Sequence, residues 1–286
     1  MTRRLIVTAD DFGMSLEVNE AVEAAHRDGI LTCASLVVAG RAAEDAIRRA
    51  KRLPTLGVGL HLALYGAPAQ FRGEAGSSIA PDGVMLGERP VATGTAIMLS
   101  PRVRAQARRE IDAQFDAYRR SGLPLGHLDG HWHCHQHPAI LAMALDLGRP
   151  LELRAVRVPH EAYAPSDRAA GGGRPFKRWA EAVSHYPLAI GMRRQIRAAG
   201  LRCNDWFFGK NDAGAIDTGV LAGMISRLPA GTSEIGLHPA IRRWQGPDSP
   251  PDHWRAEEET QALTDPWLRD LIDSNGIDLC RWSDLP

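Results

Sequence analysis

Short runs of β-branched and other apolar residues alternate with amphipathic helical stretches along most of this 286-residue chain. In the first unit, residues 5–8 predict a strand, Ser15 offers a helix N-cap, and apolar residues from 18 to 25 recur at helical spacing before Gly29. This alternation predicts an α/β fold with a mostly parallel sheet, either closed into a barrel or open and doubly wound. No GxGxxG follows the first strand, so dinucleotide binding has no support. Further strands are expected near residues 31–38, 56–62, 128–131, 153–158, 203–208, 232–238 and 277–281.

The charges of the chain balance, with 34 Lys and Arg against 34 Asp and Glu. It therefore has no basic field to attract phosphate backbones, which argues against nucleic acid as a partner. The opening residues are too polar for a signal-peptide core, and no later stretch approaches the roughly 20 apolar residues of a membrane span. We therefore expect a cytoplasmic protein whose scattered cysteines are buried thiols. Cys134, inside a histidine-rich run, has the alternative of being a soft metal ligand.

Two adjacent aspartates, Asp10 and Asp11, stand where the first predicted strand ends. Neighbouring residues of an extended chain point to opposite faces, but at a strand-to-loop corner both can turn into one cavity. One carboxylate can then bind a metal while the other stays free to accept a proton. A turn followed by a helix-capping acid is the alternative interpretation of this pair.

The strongest local signal is HLDGHWHCHQH at residues 127–137, which holds five of the 11 histidines. An extended backbone would place the alternating histidines on one face together with Asp129. Successive ones would lie about 6–7 Å apart, so one metal ion cannot bind them all. We expect one or two to bind metal and another to contact substrate; a histidine-rich loop with incidental metal affinity is the alternative. The alternating residues are His131, His133, His135 and His137.

Two more histidines, His61 and His238, end predicted strands in GLHL and GLHP. Each alone is typical of a hydrogen-bonded core histidine, but together with the aspartates they supply ligands that suit Zn²⁺, Mn²⁺, Fe²⁺ or Co²⁺. Three protein ligands with open positions are typical of a catalytic site, where the metal polarises a carbonyl and a carboxylate removes a proton. Because these residues follow separate strands, as in barrel enzymes, we favour a barrel and a metal-assisted hydrolase.

At these motifs the chain resembles the YdjC-like carbohydrate deacetylase family, which includes chitooligosaccharide deacetylases. The matching segments keep the order of the family and span nearly the whole chain. Together they are specific, although each piece alone is not. They are TADDFG at residues 8–13, GLHL at 59–62, HLDGH at 127–131 with the following histidines and Pro138, and EIGLHP at 234–239.

The resemblance implies one domain over residues 1–286, a distorted TIM-like (β/α) barrel. The Gly-rich and Pro-rich stretches near 66–94 and 162–175 predict loop insertions in this domain. The resemblance also implies hydrolysis of the acetamido group of an N-acetylglucosamine-type sugar with one divalent metal ion, Zn²⁺ or Mg²⁺ foremost. The implied metal ligands are Asp11, His61 and His131, with Asp10 as general base and His238 as general acid.

Three further residues are assigned to substrate binding. His133 and Asp129 belong to the histidine-rich run, and Arg157, in VRVP at residues 156–159, resembles a family arginine near the site. For Arg157 the expected role is to orient a carboxylate.

A narrower resemblance links the chain to the hopanoid-biosynthesis-associated HpnK branch of the family. It covers the opening through Gly40, GLRCND at residues 200–205, Phe208-Gly209 and the Leu-Pro before residue 233. It implies an N-acetylglucosaminyl hopanoid, a lipid-linked sugar, as substrate, with peripheral contact at the inner face of the membrane. Apolar side chains of the two loop insertions, among them Phe71, Ile79, Leu86 and Phe176, would form a rim for the lipid or else close the loops onto the barrel.

Three other functions remain open from the sequence. The first is a deacetylase of soluble chitooligosaccharides. The second is a different metal-dependent amidohydrolase, which would be expected to carry an HxH pair where this chain has Asp10-Asp11. The third is a non-catalytic sugar- or metal-binding protein, against which stands the presence of Asp10 and His238, since neither is needed merely to hold a metal.

Overall fold

The computed structural model of the protein describes residues 2–71, 77–161, 163, 175–246 and 249–286. Most of the expected loop insertion at 162–175, including glycines 171–173, lies outside these residues. Within the described part, no helix combines the length and the apolar character needed to cross a membrane.

All strands in the described residues run parallel and belong to one sheet. They are β1 Arg3–Phe12, β2 Cys33–Leu36, β3 Gly57–Leu62, β4 Leu128–Gly130, β5 Trp206–Phe208, β6 Gly231–Leu237 and β7 Ile277–Leu279. The order across the sheet is β4-β3-β2-β1-β6-β5, and β7 pairs with the first residues of β1. This confirms the parallel sheet that the alternating pattern predicts.

Helices follow the strands and cover the outside of the sheet. They are α1 Leu16–Asp28, α2 Ala43–Lys51, α3 Pro90–Leu99, α4 Pro101–Ser121, α5 Pro138–Gly148, α6 Pro175–Ala198, α7 Thr218–Ser226, α8 Ala256–Thr264 and α9 Pro266–Ser274. The predicted caps are present: the Ser15 hydroxyl accepts from the amide of Val18, and Ser100 caps α4, which has Pro101 in its first turn.

The stretch 154–161 lies between the two edge strands and joins them. It makes single parallel bridges to β4 through Leu128–Val156 and to β5 through Glu161–Phe207, with another between Ala155 and Arg202. The sheet therefore curls into a distorted TIM-like barrel, as predicted. The expected fifth strand at 153–158 is an extended connection with isolated bridges rather than a regular strand.

The barrel interior changes from apolar to polar along β1. At one end a small apolar cluster contains Ile6, Cys33, Ala155 and Trp282. Two residues further along β1 the Thr8 hydroxyl donates to Glu234, and after two more Asp10 meets Arg157. The polar side chains therefore gather towards the carboxyl ends of the strands, where barrel enzymes build their sites.

One local prediction is wrong. Residues 131–137 are not extended: His131–Gln136 form a short 3₁₀ segment in which Trp132 and His133 have left-handed φ of 48° and 53°. Because of this bend, the alternating histidines do not lie on one face of an extended segment. The expected loop at 66–94 forms no helix or strand in its described residues before α3 begins at Pro90, and Ile79 and Leu86 from this loop pack into the core.

Candidate metal centre

A β-bulge at the end of β1 turns both aspartates into the barrel mouth. Between Ala9 and Phe12, β1 has one residue more than the paired segment of β2, and Asp11 has a left-handed φ of 63°. A non-glycine residue in this region is strained and persists where the surroundings hold it. Asp10 and Asp11 therefore reach neighbouring parts of one site, which the sequence predicted only as a strand-to-loop corner.

Asp11, His61 and His131 form a group whose ligand atoms all lie within 4.8 Å of one another. Oδ1 of Asp11 is 2.9 Å from Nδ1 of His131 and 3.5 Å from Nε2 of His61. The three residues come from β1, β3 and the segment after β4, as the sequence predicted. One carboxylate and two imidazoles are a donor set that suits a divalent ion such as Zn²⁺.

A second group, Asp10, His61 and Asp129, meets the same distance criterion. Here, however, the guanidinium of Arg157 already binds both aspartates, at 2.7 Å from Asp10 Oδ2 and 2.9 Å from Asp129 Oδ2. A cation in this group would compete with a buried arginine. The group around Asp11 is therefore the better candidate.

Asp129 fixes the orientation of His61 from behind. Its Oδ1 lies 2.8 Å from Nδ1 of His61, and its Oδ2 accepts a hydrogen bond of 2.7 Å from the Ser35 hydroxyl. Burial opposes ionisation of Asp129, but Arg157 and His61 outweigh it and hold its pKa well below the usual range. A carboxylate on the far nitrogen of a histidine ligand is the common supporting contact in metal sites. Asp129 has no exposed surface, so it lies behind the site and not at the position expected for substrate binding.

Arg157 is completely buried and holds three carboxylates together. Its two terminal nitrogens grip both oxygens of Asp10, at 2.7 and 2.8 Å, and its Nε and Nη2 contact Glu234 at 3.0 and 2.8 Å. The third carboxylate is Asp129. The expected role of orienting a carboxylate fits this geometry, whereas the absence of exposed surface leaves Arg157 no direct route to a substrate.

The buried charges of this region favour a cation. Asp10, Asp129 and Glu234 contact a single guanidinium, and Asp11 adds a fourth carboxylate beside His61 and His131, so carboxylates outnumber arginines here. Burial raises the pKa of Glu234, and Arg157 opposes this shift. Burial opposes a charge on His61, but Asp129, Asp10 and Asp11 outweigh it and raise its pKa to about 9. The same field would stabilise a divalent ion, so these residues fit a metal on charge as well as on donor type.

His238 follows β6 on the other side of the cavity. Its Nε2 lies 3.9 Å from Oδ2 of Asp10, and its ring centroid is 4.5 Å from that of Trp254. Its Nδ1 is buried and has no hydrogen-bond partner in the described part of the chain. Burial lowers the pKa of His238, although Asp10 and Asp11 oppose the shift. The imidazole is therefore neutral near pH 7.

The site opens into a cavity of about 120 Å³. Of the histidine-rich run, His131 and His133 line it. His135 is buried, and its Nε2 lies 3.0 Å from the carbonyl oxygen of Arg157. His137, at the start of α5, packs against Gly94 of α3. Cys134 is turned away, with its thiol on the carbonyl of Leu62. The other lining side chains include Asp10, His61, Trp132, Phe207, Lys210, His238 and Trp254.

A second cleft of about 240 Å³ adjoins this cavity and shares Asp11, His131, Trp132 and Trp254 with the site. Its walls add Met14, Trp244, Pro250 and Pro251. In the described residues of the 66–94 loop, the apolar side chains expected to form a rim do not line this cleft: Ile79 and Leu86 are buried in the core, and Phe71 packs under Arg109. The aromatic walls come from tryptophans that the sequence analysis did not single out.

Comparisons with known proteins find similarity over nearly the whole chain. A family model described as "YdjC-like protein" matches residues 4–274. A mouse carbohydrate deacetylase is 32% identical over 309 aligned positions, which cover 99% of this chain and 94% of its own length. A human carbohydrate deacetylase is 31% identical, covering 99% and 91%.

One bacterial relative and one solved structure extend these similarities. A carbohydrate deacetylase of Brevibacillus brevis is 40% identical over 158 positions, which cover 54% of this chain and 59% of its own length. The crystal structure of a putative cellobiose-phosphate cleavage protein from Enterococcus faecalis superposes with a TM-score of 0.69 at 21% identity, covering 99% of this chain and 98% of that one. This last similarity concerns the fold alone.

Proposed function

We propose that this chain, which belongs to the YdjC-like protein family, is a metal-dependent carbohydrate deacetylase that hydrolyses the acetamido group of an N-acetylglucosamine-type sugar. The observation that carries the proposal is that the ligand atoms of Asp11, His61 and His131 lie within 4.8 Å of one another. His61 and His131 line the same cavity as Asp10 and His238. Relatives named carbohydrate deacetylases, aligned over 99% of the chain, support the choice of substrate class.

In this proposal Asp11, His61 and His131 would hold the ion. A divalent metal in such a site supplies Lewis acidity: it polarises the amide carbonyl and makes water a better nucleophile. Asp129 keeps the His61 ring in place, and His133 lines the cavity as a substrate contact. Burial, with Arg157 and Lys210 nearby, holds the pKa of His133 well below its ordinary value, so the ring meets the substrate uncharged.

Asp10 is the proposed general base. The bidentate grip of Arg157 uses one lone pair on each of its oxygens and leaves others for the attacking water. Because burial keeps His238 neutral at rest, the proton that it delivers to the departing amine nitrogen must first arrive from elsewhere. Asp10, 3.9 Å away, is the nearby donor once it has taken the proton of the water. Base and acid thus form one relay.

The test is acetate release from N-acetylglucosamine-bearing substrates by three variants and the wild type. Asp10→Asn keeps the shape of the side chain but cannot accept the proton, so kcat should fall by about 10²–10⁴. His238→Ala should fall by a similar factor, and both should still bind a divalent ion. His185→Ala on α6 serves as the control and should match the wild type. If Asp10→Asn lost the metal instead and kept its fold, the two aspartates would have the opposite roles.

We further propose that the physiological substrate is lipid-linked, of the N-acetylglucosaminyl hopanoid type, and that it is processed in the cytoplasm at the inner face of the membrane. The supporting observation is the cleft beside the metal site, where Trp132, Trp244 and Trp254 offer apolar surface directly next to Asp11. Trp132 is 51% exposed although its neighbour His131 is buried. An apolar group attached to the sugar could rest on this surface.

The substrate proposal is tested by kcat/KM for the glycolipid against chitobiose. Each methylene buried in the cleft contributes up to ~0.8 kcal/mol, so even partial contact should favour the lipid by orders of magnitude. Trp244→Ala, at a residue that lines the cleft but not the catalytic cavity, should remove much of this preference and leave kcat on chitobiose nearly unchanged. Equal efficiency on both substrates would reject the lipid and support a soluble chitooligosaccharide, with deacetylation itself unaffected.

A further inference from the structure

Glu259 on α8 is a completely buried carboxylate that lies outside the cavity and accepts hydrogen bonds from backbone amides. Its Oε2 accepts from the amide of His238 at 2.6 Å, and its Oε1 accepts from the amide of Ile216 at 3.2 Å. The amide of Gly214 also hydrogen-bonds to it. No lysine or arginine of the described residues forms an ion pair with it, so these amides are its stabilising partners.

The three amides belong to two loops of the candidate site. Gly214 and Ile216 are in the loop after β5, which also carries Lys210, and His238 directly follows β6. Gly214 lies against Trp254, since a Cβ built on it would be 2.2 Å from the indole Cγ. Trp254 in turn contacts the His238 ring. One carboxylate therefore ties the backbone of His238 to the loop that supports its aromatic neighbour.

We infer that Glu259 is a positioning residue that holds the His238 imidazole towards Asp10 through the backbone amide of His238. This inference rests on the proposed role of His238 in catalysis. It adds a residue of α8, distant from every metal ligand in the sequence, to the machinery of the reaction. Glu259 is not among the residues lining the cavity, so it acts through His238 rather than on the substrate.

The chemistry of the contact explains why a carboxylate is found here. Three converging N–H donors require a group that only accepts, and a glutamine would turn its own N–H₂ towards at least one of them. A buried carboxylate that is held by amides and not by a cationic side chain is costly to ionise. Burial accordingly raises the pKa of Glu259 to about 7 even though the amides oppose the shift. A side chain that only filled space at this position would not carry the cost of a buried carboxylate.

The first test compares Glu259→Gln with Glu110→Gln. Glu110 is a matched control, because it is equally buried and accepts from the amides of Gln70 and Phe71 at 2.9 and 2.8 Å, but its loop does not carry His238. Misplacement of a catalytic group by about 1 Å can cost 10²-fold in rate. Glu259→Gln should lower kcat by about that factor, with KM and Zn²⁺ affinity changed by less than about threefold, whereas Glu110→Gln should lower only the melting temperature.

The second test is a double-mutant cycle. If Glu259 acts through His238, Glu259→Gln should have no further effect on kcat in the His238→Ala background. Effects that multiply in the double variant would overturn the inference. If Glu259→Gln does not fold, Glu259→Asp keeps the charge but is shorter by one methylene, and it should give the same pattern with a smaller loss of kcat.

A readout that does not need activity separates this inference from the proposed function. Amide hydrogen exchange in residues 214–216 and 238–240, followed by mass spectrometry, should be at least about tenfold faster in Glu259→Gln than in the wild type. Exchange around 70–71 should respond only to Glu110→Gln. Unchanged exchange at 214–216 and 238–240 would overturn the inference. If the wild type had no deacetylase activity but exchange were still faster in the variant, the proposed function would be rejected, and the hold of Glu259 on the His238 backbone would stand.

Discussion

Two groups of charged side chains lie side by side at the mouth of the barrel, and they differ in how completely their contacts are made. The Arg157 group consists of Arg157, Asp10, Asp129 and Glu234, all almost completely buried and joined by a guanidinium that contacts every carboxylate. The Asp11 group consists of Asp11, His61 and His131 and borders a cavity. Asp10 and Asp129 link the two groups.

This difference indicates that the Arg157 group fixes the geometry of the site, whereas the Asp11 group takes part in the chemistry. In the Arg157 group nearly every donor has its acceptor, so the geometry is fixed before any ligand arrives. In the Asp11 group the imidazoles and carboxylate face one another with room for an ion, and the surrounding negative charge favours one. A preorganised frame behind an open site is the arrangement expected of a catalytic centre.

The largest effect should come from breaking the Arg157 group itself. Arg157→Lys replaces five fixed donors with one compact ammonium, which cannot grip Asp10 and Glu234 at the same time. The metal-free protein should lose about 3–5 kcal/mol of its free energy of unfolding, because buried carboxylates are left without partners. Urea denaturation measures this loss. The exposed Arg119, paired with Asp116, is the control, and Arg119→Lys should change stability by less than about 0.5 kcal/mol. A small loss for Arg157→Lys would mean that the group is not a rigid frame.

The next effect concerns pH and a histidine behind the Arg157 group. Burial lowers the pKa of His127 to about 4, although Asp129 opposes the shift, and the ring is stacked on Trp282. Between pH 6.5 and about 4 the unfolded chain binds a proton at this residue that the folded protein does not, so stability falls as the pH falls. The loss from this histidine should approach roughly 3 kcal/mol.

His127→Gln checks this effect, since glutamine does not titrate. The free energy of unfolding of the variant should depend less on pH than that of the wild type between pH 6.5 and 4. Parallel pH curves for the two proteins would contradict the neutral state assigned to His127.

A smaller effect should follow from the link between the two groups. Asp129→Asn keeps the volume but weakens the contact with His61, so Zn²⁺ affinity should fall by about 10–100-fold with the fold retained. Ser35→Ala removes only the hydroxyl bonded to Asp129 and should cost roughly 2–10-fold. Calorimetric titration with Zn²⁺ ranks the three proteins. If Ser35→Ala lost more affinity than Asp129→Asn, Asp129 would not be the residue that orients His61.

Much of the fold could be predicted because its signals are local. The N-caps Ser15 and Ser100, and the positions of β1, β3 and β6, follow from residues close together in the sequence. The bend at His131–Gln136 could not be predicted, because Trp132 and His133 adopt left-handed φ although neither residue is a glycine. The sequence of the extended connection at 154–161 is typical of a strand. Its position between the edge strands β4 and β5 limits it to single bridges, and this position cannot be predicted from the local sequence.

Some residues of the candidate site could likewise be predicted from the sequence, and others could not. The resemblance to the family implied Asp11, His61 and His131 as the ligand set, and their grouping at the carboxyl ends of parallel strands agrees with it. Glu234 is a charged residue within an otherwise uncharged strand, a pattern that indicates a buried partner of opposite charge. Its contact with Arg157 joins positions 77 residues apart. Glu259 gave no signal at all, because a glutamate on an amphipathic helix ordinarily faces water.

Metal reconstitution tests most directly whether deacetylation requires one divalent ion at the Asp11 group. Chelator-treated wild type should contain no bound metal and release acetate at least about 100-fold more slowly. Titration with Zn²⁺ or Mg²⁺, in separate experiments, should restore activity to a plateau at one ion per chain, as determined by elemental analysis. Folded Asp11→Ala should neither retain the ion nor recover activity. Full acetate release by metal-free wild type would contradict the account.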